Sequence, residues 1–290
     1  MHSLLQQVMS GIAMGAIYAC LALALVMIYQ STHHINFAQG EMAMFSTFVA
    51  AMCLNAGWPY WMAFIVAVGA GFVSGFIVER VVLRPLSNAP ELSIVVVFVG
   101  LLIGINSLAG WIFGHTLAPF PSPFPQKSIF GTQLMSGHEA GVIVVVLVVV
   151  STLYAFFAFT KLGLAMRASA ENPVSSRLSG IPVSFMLSLG WGVSAAIGAG
   201  AGMMIAPVVF LDPNMMGGVL IYAFAAALLG GVDNPWGAIA GGIIVGVVEN
   251  LAGAYVVGTE LKLSVALVLI LGVLLVRPSG LFGRKLVVRV

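Results

Sequence analysis

Apolar segments long enough to cross a membrane follow one another along almost the whole chain, separated by short polar stretches. An α-helix rises 1.5 Å per residue, so about 20 apolar residues cross the hydrocarbon core of a bilayer. The pattern predicts an all-α polytopic membrane protein, a single domain over 1–290, with about nine transmembrane segments and outer bounds of eight and ten. The predicted segments are 4–28, 37–54, 58–78, 92–113, 141–159, 185–207, 219–231, 236–257 and 263–276.

Glycine is the second feature of these segments. The chain contains 34 glycines, which recur four residues apart within predicted helices. Two glycines at this spacing share one helix face and let another helix backbone approach closely, which is a main source of helix packing in lipid. We therefore predict a glycine-rich helix bundle. The pairs are Gly11/Gly15, Gly71/Gly75, Gly100/Gly104, Gly198/Gly202 and Gly242/Gly246.

Composition excludes several classes of protein. Only 7% of the residues are charged and 61% are hydrophobic, whereas soluble domains carry about 25% charged residues. This apolar composition predicts that membrane lipid surrounds the chain. A net charge of +2 without a basic stripe gives no support to nucleic-acid binding. Cys20 and Cys53 lie inside apolar segments, and the adjacent His33 and His34 have no third ligand nearby. We therefore predict no metal site and no cofactor bound by this chain.

The basic residues predict the topology, because lysine and arginine concentrate on the cytoplasmic side of membrane proteins. They fall in three groups, with three predicted segments before the first group, two between the first and second, and four between the second and third. This parity places the N-terminus in the periplasm and the C-terminus in the cytoplasm, provided that the short segment 219–231 crosses. The proline-rich stretch 114–139 then becomes a periplasmic loop. The three groups are Arg80 and Arg84; Lys161, Arg167 and Arg177; and Arg277, Arg284, Lys285 and Arg289.

The stretch 161–182 is the longest polar cytoplasmic segment. Helix-forming residues surround Arg167 and predict a first short helix, which Asn172 and Pro173 interrupt. A second short helix follows and ends at Gly180. Two short helices with outward charges are typical of a docking element, although an ordinary positively charged loop explains the residues equally well. No His or Cys is present to build a nucleophile and base.

This stretch resembles the coupling (EAA-like) loop of ABC-transporter permeases, specifically of the branched-chain amino-acid (LivH-like) permease family. The resemblance implies that Arg167, Glu171, Asn172, Pro173, Arg177 and Gly180 couple the chain to an ATPase. Asn172 stands where the family more often has Asp. The matching residues are Gly163, Ala165, Met166, Arg167, Ala168, Ala170, Glu171, Asn172, Pro173, Arg177, Leu178, Gly180 and Ile181.

Two further motifs are similar to the same family. INFAQGE at 35–41 matches its opening signature, and LGGVDNPWGA at 229–238 matches a segment near its end. The resemblance implies half of a translocation pore in the bacterial inner membrane, with four partner subunits: a second, LivM-like permease subunit, two cytoplasmic ATP-binding subunits, and a periplasmic solute-binding protein. ATP and Mg²⁺ would bind to the ATPases, since this chain has no G-x-x-x-x-G-K-[ST] phosphate loop.

Polar residues within the predicted segments are candidates for lining a pathway, because an ionisable group costs about 2.5 kcal/mol or more in hydrocarbon. Each also has a structural alternative, such as a hydrogen bond between helices. Glu41 and Glu249 are the two acids placed inside segments. Asp212 and Asn214, in an external turn, are candidate contacts for the binding protein. The pathway candidates are Asn36, Gln39, Glu41, Asn106, Glu249 and Asn250.

The sequence thus favours a transport subunit, not an enzyme, that imports branched-chain amino acids or related small polar solutes. The alternative is a self-sufficient ion-coupled carrier or channel in which Glu41 and Glu249 would be the ion sites. A membrane-embedded enzyme is disfavoured because the segments offer no facing catalytic groups.

Overall fold

The computed structural model describes residues 2–32, 34–86, 89–125, 127 and 134–283, without the side chain of His2. His33, Arg284, Lys285, Arg289 and part of the predicted loop 114–139 lie outside these residues.

Helices make up the described structure. Ala118 and Leu211 form an isolated antiparallel β-bridge between two loops. The helices are α1 (His2–Thr32), α2 (Gln39–Asn55), α3 (Tyr60–Ile77), α4 (Glu91–Phe113), α5 (Gly137–Phe159), α6 (Lys161–Glu171), α7 (Pro173–Leu178), α8 (Val183–Val209), α9 (Met216–Gly230), α10 (Pro235–Tyr255) and α11 (Lys262–Val276).

The predicted all-α membrane class is confirmed. Within the described residues, seven helical stretches are long and apolar enough to cross a membrane. The two other predicted segments correspond to α2, of 17 residues, and α9, of 15 residues. Crossing by these two helices stays a prediction, and so does the count of nine.

Two predicted boundaries are wrong. The third segment does not end at 78, because a π-helical turn (Val78–Leu83) and a 3-10 turn (Arg84–Leu86) prolong α3. The fifth segment begins earlier than predicted, since α5 starts at Gly137, inside the stretch 114–139. Ser136 and Glu139 form a capping box there, in which Glu139 Oε2 accepts from the backbone N–H of Ser136 at 2.7 Å.

The chain divides into two compact units, and 27–123 with 147–217 forms unit 2. In this unit α8 packs against α2 and α3. A Cβ at Gly71 would lie 2.9 Å from the carbonyl oxygen of Ala195, and one at Gly202 would lie 3.0 Å from that of Ala43. Only glycine permits these approaches, so close packing at Gly71/Gly75 and Gly198/Gly202 is confirmed.

Unit 1 contains 1–26, 124–146 and 218–290. Here α1 packs against α10, and a Cβ at Gly15 would lie 2.7 Å from the carbonyl oxygen of Gly242. The predicted pairs Gly11/Gly15 and Gly242/Gly246 are therefore confirmed as packing sites. Gly100 and Gly104 on α4 of unit 2 differ, since a Cβ at either would meet no described atom within 4 Å.

The helices α6 and α7 confirm the predicted local structure of 161–182. Thr160 Oγ1 accepts from the backbone N–H of Gly163 at 3.0 Å and caps α6. Asn172 Oδ1 accepts from the N–H of Ser175 at 3.0 Å and caps α7, which begins at Pro173. Gly180 has a φ of +80°, a left-handed conformation that favours glycine and turns the chain towards α8.

Candidate functional site

The predicted ATPase-coupling residues on α6, α7 and the following turn are all exposed. They are Arg167, Glu171, Asn172, Pro173, Arg177 and Gly180. Leu178 is 85% exposed and Val174 is 68% exposed. An exposed surface that mixes charges of both signs with large apolar side chains has the composition of a protein-binding surface. We call 161–182 the coupling segment below, after the role that the family resemblance predicts for it.

A first polar cluster lies at the start of α2 in unit 2, where Asn36 and Gln39 are fully buried. Asn36 Nδ2 donates to Gln39 Oε1 at 3.2 Å, and Asn36 Oδ1 accepts from the backbone N–H of Ala38 at 3.0 Å. Gln39 Nε2 donates to the carbonyl oxygen of Ser194 on α8 at 3.0 Å. These bonds satisfy polar groups that would otherwise be buried without partners, and they fix the start of α2 against the middle of α8.

Glu41 and Asn106 form the second part of this unit 2 cluster. Asn106 Nδ2 on α4 donates to Glu41 Oε2 at 3.1 Å and to the carbonyl oxygen of Pro213 at 2.8 Å. It also lies 3.3 Å from Asn214 Oδ1. Asp212 Oδ1 accepts from the backbone N–H of Asn214 at 3.1 Å and closes the turn. The structure thus joins two predicted pathway residues to a predicted docking residue.

The unit 1 cluster is built around Glu249, which is 5% exposed. Tyr18 of α1 donates its hydroxyl proton to Glu249 Oε2 at 2.9 Å, and Lys262 Nζ lies 3.9 Å from Glu249 Oε1. Asn250 Nδ2 donates to the carbonyl oxygen of Gln7 at 2.7 Å, while Lys262 donates to Asn250 Oδ1 at 3.0 Å. The predicted pair Glu249 and Asn250 therefore connects three helices of one unit.

Glu79 is a buried acid that the predicted site did not include, because the predicted third segment ended at residue 78. The helix continues past that residue and buries the Glu79 side chain to 5% exposure. Ser188 on α8 donates a hydrogen bond to its carboxylate. The sequence could have indicated this buried position. Glu79 follows Gly75 by four residues, as Gly75 follows Gly71, so all three lie on the helix face that packs on α8.

Tyr18 and Lys262 were also absent from the predicted site. Tyr18 follows Gly15 by three residues and lies on the glycine face of α1, which could have marked it. Lys262 gave no such signal, because its partners on α10 are brought close only by the turn between α10 and α11. Among the described residues, no group of three or more His, Cys, Asp or Glu side chains could hold a metal ion.

Seven helical stretches that are long and apolar enough to cross a membrane, within the described residues, define the chain as a polytopic helical membrane protein. Residues 7–274 match the family described as "Branched-chain amino acid transport system / permease component". The chain belongs to this family. It is a permease subunit of a multi-subunit transport system and not an enzyme.

Similar proteins agree over nearly the whole chain. The high-affinity branched-chain amino acid transport system permease protein LivH of Escherichia coli is 31% identical, over 99% of this chain and 97% of that protein. BraD of Pseudomonas aeruginosa, with the same description, is 31% identical over 99% and 98%. A probable LivH of Methanocaldococcus jannaschii is 28% identical over 91% and 87%.

Proposed function

We propose that this chain forms half of the pore of an ABC importer for branched-chain amino acids in the bacterial inner membrane. Its partners are a second, LivM-like permease subunit, two cytoplasmic ATP-binding subunits that hold ATP and Mg²⁺, and a periplasmic solute-binding protein. The N-terminus lies in the periplasm and the C-terminus in the cytoplasm. The exposed coupling segment, in a chain of this family, is the observation that carries the proposal.

The coupling segment transmits movement from the ATP-binding subunits. Its two helices present Arg167, Glu171 and Arg177 outward, while buried Met166 and Ser176 hold the segment to the rest of unit 2. A rigid, capped element moves as one body, so a displacement of α6 and α7 reaches α8 through the Gly180 turn. The segment needs no catalytic group for this role.

The polar clusters are buried in this structure and line the route of the solute when the surrounding helices separate during transport. In unit 2, Asn36, Gln39, Glu41 and Asn106 supply carboxylate and amide groups between helices α2, α4 and α8. In unit 1, Glu249 and Asn250 supply the same kinds of group. The turn that carries Asp212 and Asn214 contacts the binding protein, so arrival of the loaded protein is sensed at Asn106 and Glu41.

Reconstitution in liposomes tests the proposal. The chain is purified with its second permease and both ATPases, and uptake of labelled L-leucine is measured with ATP inside and the binding protein outside. We expect uptake when all four kinds of component and ATP are present, and none when any one is omitted. Uptake by the chain alone would contradict the importer and favour a self-sufficient carrier.

A further inference from the structure

Unit 2 contains a cavity of about 630 Å³ beside the coupling segment. Its wall is formed by the last turn of α1, the end of α3, the first half of α4, the Arg177–Gly180 part of the coupling segment and the first turns of α8. Sites for small molecules usually measure about 300 to 1,000 Å³. The cavity therefore has room for a small organic molecule, and it is separate from the polar clusters described above.

One part of the cavity wall is apolar and rigid. Phe98 of α4 and Trp191 of α8 stack with their ring centroids 5.9 Å apart and their planes 10° apart. Ile94 packs in the same buried group. The indole Nε1 of Trp191 is buried and has no hydrogen-bond partner in the part of the chain that the structure describes. Phe98 is 1% exposed and Trp191 is 0% exposed, so this pair supports the wall from behind, and the partly exposed Ile181 and Leu187 form its apolar surface.

The rest of the wall carries charges of both signs. The Glu79 carboxylate accepts from Ser188, and Arg84 Nη2 donates to Ser184 Oγ at 3.0 Å. Ser184 and Ser188 are one turn, about 6 Å, apart along α8, and Arg84 is close enough to Glu79 for their opposite charges to attract each other. Arg177 of the coupling segment adds a second cation to the wall.

We propose that this cavity binds an apolar amino acid in its zwitterionic form and that the bound amino acid inhibits import. The carboxylate binds to Arg84 and Arg177, the ammonium group binds to Glu79, and the side chain packs against Ile181 and Leu187. The Glu79 carboxylate would repel a simple anion, and the two guanidinium groups would repel a simple cation. A zwitterion, which carries both charges, therefore matches the wall best. The proposal rests on the proposed function for the substrate class and for the cytoplasmic side of the cavity.

Inhibition follows from where the cavity lies. The coupling segment forms one side of it, and the end of α3 with the first half of α4 forms another. A molecule that bonds to both sides holds them together and opposes the displacement of the coupling segment. Imported amino acid that accumulates inside the cell would thereby slow its own import.

A binding experiment tests the ligand chemistry. The complete complex of permeases and ATPases, without the binding protein, is placed in nanodiscs that lack phosphatidylethanolamine, and binding of labelled L-leucine is measured. We expect saturable binding, with 4-methylpentanoate and isoamylamine, which each lack one charged group, competing about tenfold less well, equal to about 1.4 kcal/mol. Equal competition by either compound, or displacement of leucine by phosphatidylethanolamine, would overturn the zwitterion site.

Variants place the bound leucine in this cavity. Leu187 lines the cavity, while Leu189 on the same helix does not, and both are partly buried. Leu187→Trp fills the cavity and is expected to abolish leucine binding, whereas Leu189→Trp retains it. Glu79→Gln is expected to weaken binding of leucine about tenfold without weakening that of 4-methylpentanoate. Assembly of each variant complex is checked by size-exclusion chromatography.

A transport experiment tests inhibition. Liposomes with the complete importer are preloaded with unlabelled L-leucine or left empty, and initial uptake is measured. We expect preloading to reduce uptake by the wild type and by Leu189→Trp but not by Leu187→Trp. An unchanged wild-type rate, or equal inhibition of both variants, would overturn the inference while the importer stands. A wild type that imports nothing from the start would instead contradict the proposed function.

Discussion

At the scale of single residues, a few polar side chains determine how the buried parts of each unit fit together. Asn106 is the clearest case, because one amide group serves the Glu41 carboxylate, the carbonyl oxygen of Pro213 and the side chain of Asn214. Its three partners come from helix α2 and from the loop before α9. A small change at this residue therefore affects a helix and a loop together.

We predict that Asn106→Ala destabilises the protein by about 1 to 3 kcal/mol, because Glu41 and the carbonyl group of Pro213 lose their shared donor. The measurement is thermal unfolding of the purified complex in detergent. The adjacent exposed Ser107 provides the control, and Ser107→Ala should leave the melting temperature unchanged. Equal melting temperatures for both variants would contradict the role assigned to the Asn106 amide.

At the scale of helices, two kinds of element differ in what they offer to their surroundings. Helix α8 is enclosed by α2 and α3 through glycine contacts, so its glycines are already used within unit 2. The coupling segment presents its charged side chains outward instead. Substitutions at the glycine contacts of α8 should therefore impair folding. Substitutions of the outward charges of the coupling segment should impair coupling to the ATPases instead.

The glycines of α3 and α4 allow a matched comparison. A Cβ at Gly75 would lie 2.6 Å from Cβ of Ala195, whereas a Cβ at Gly100 would meet no described atom within 4 Å. We predict that Gly75→Ala lowers the melting temperature, since α3 and α8 must move apart. Gly100→Ala should be neutral or slightly stabilising, because alanine favours the helix by about 1 kcal/mol. Thermal unfolding of both variants decides, and a destabilising Gly100→Ala with a neutral Gly75→Ala would refute the packing argument.

Charge reversal in the coupling segment tests the second kind of element. The double change Arg167→Glu with Glu171→Arg is expected to reduce ATPase stimulation by the loaded binding protein by about tenfold or more, because two desolvated charge contacts at an interface are reversed. Membrane insertion and the yield of the chain should not change, since both residues are exposed. Lys161→Glu on the same helix is the control for charge alone. Normal stimulation by the double variant would count against docking at this segment.

At the scale of the whole molecule, the direction of every helix depends on the number of crossings. Nine crossings place the termini on opposite sides of the membrane, and so would seven. The termini share a side only if one of the two short helices α2 and α9 crosses without the other. The described basic residues lie in groups along the sequence, as nine crossings would require. Such grouping does not by itself determine the number of crossings.

Reporter fusions test this topology. We predict that green fluorescent protein fused after residue 290 fluoresces, and that alkaline phosphatase inserted within 114–136 is active, because the first lies in the cytoplasm and the second in the periplasm. Alkaline phosphatase after residue 290 is the control and should be inactive. An active C-terminal phosphatase would contradict the nine-segment arrangement.

The sequence by itself determined the class of protein, the approximate position of each helix and the two short helices of the coupling segment. These depend on local properties: the length of apolar segments, the capping residues Thr160 and Asn172, and the turn at Gly180. Four of the five glycine pairs were also identified correctly as packing sites, since spacing alone places two glycines on one helix face.

Only the tertiary structure decided which polar residues meet. Asn106 reaches Glu41 and Asn214 across 65 and 108 positions of sequence, and Glu249 meets Tyr18 across 231. Such contacts depend on how helices pack, which no local pattern encodes. The same holds for the cavity beside the coupling segment. Only because α3 continues past its apolar stretch do the buried Glu79 and the two arginines Arg84 and Arg177 line one cavity.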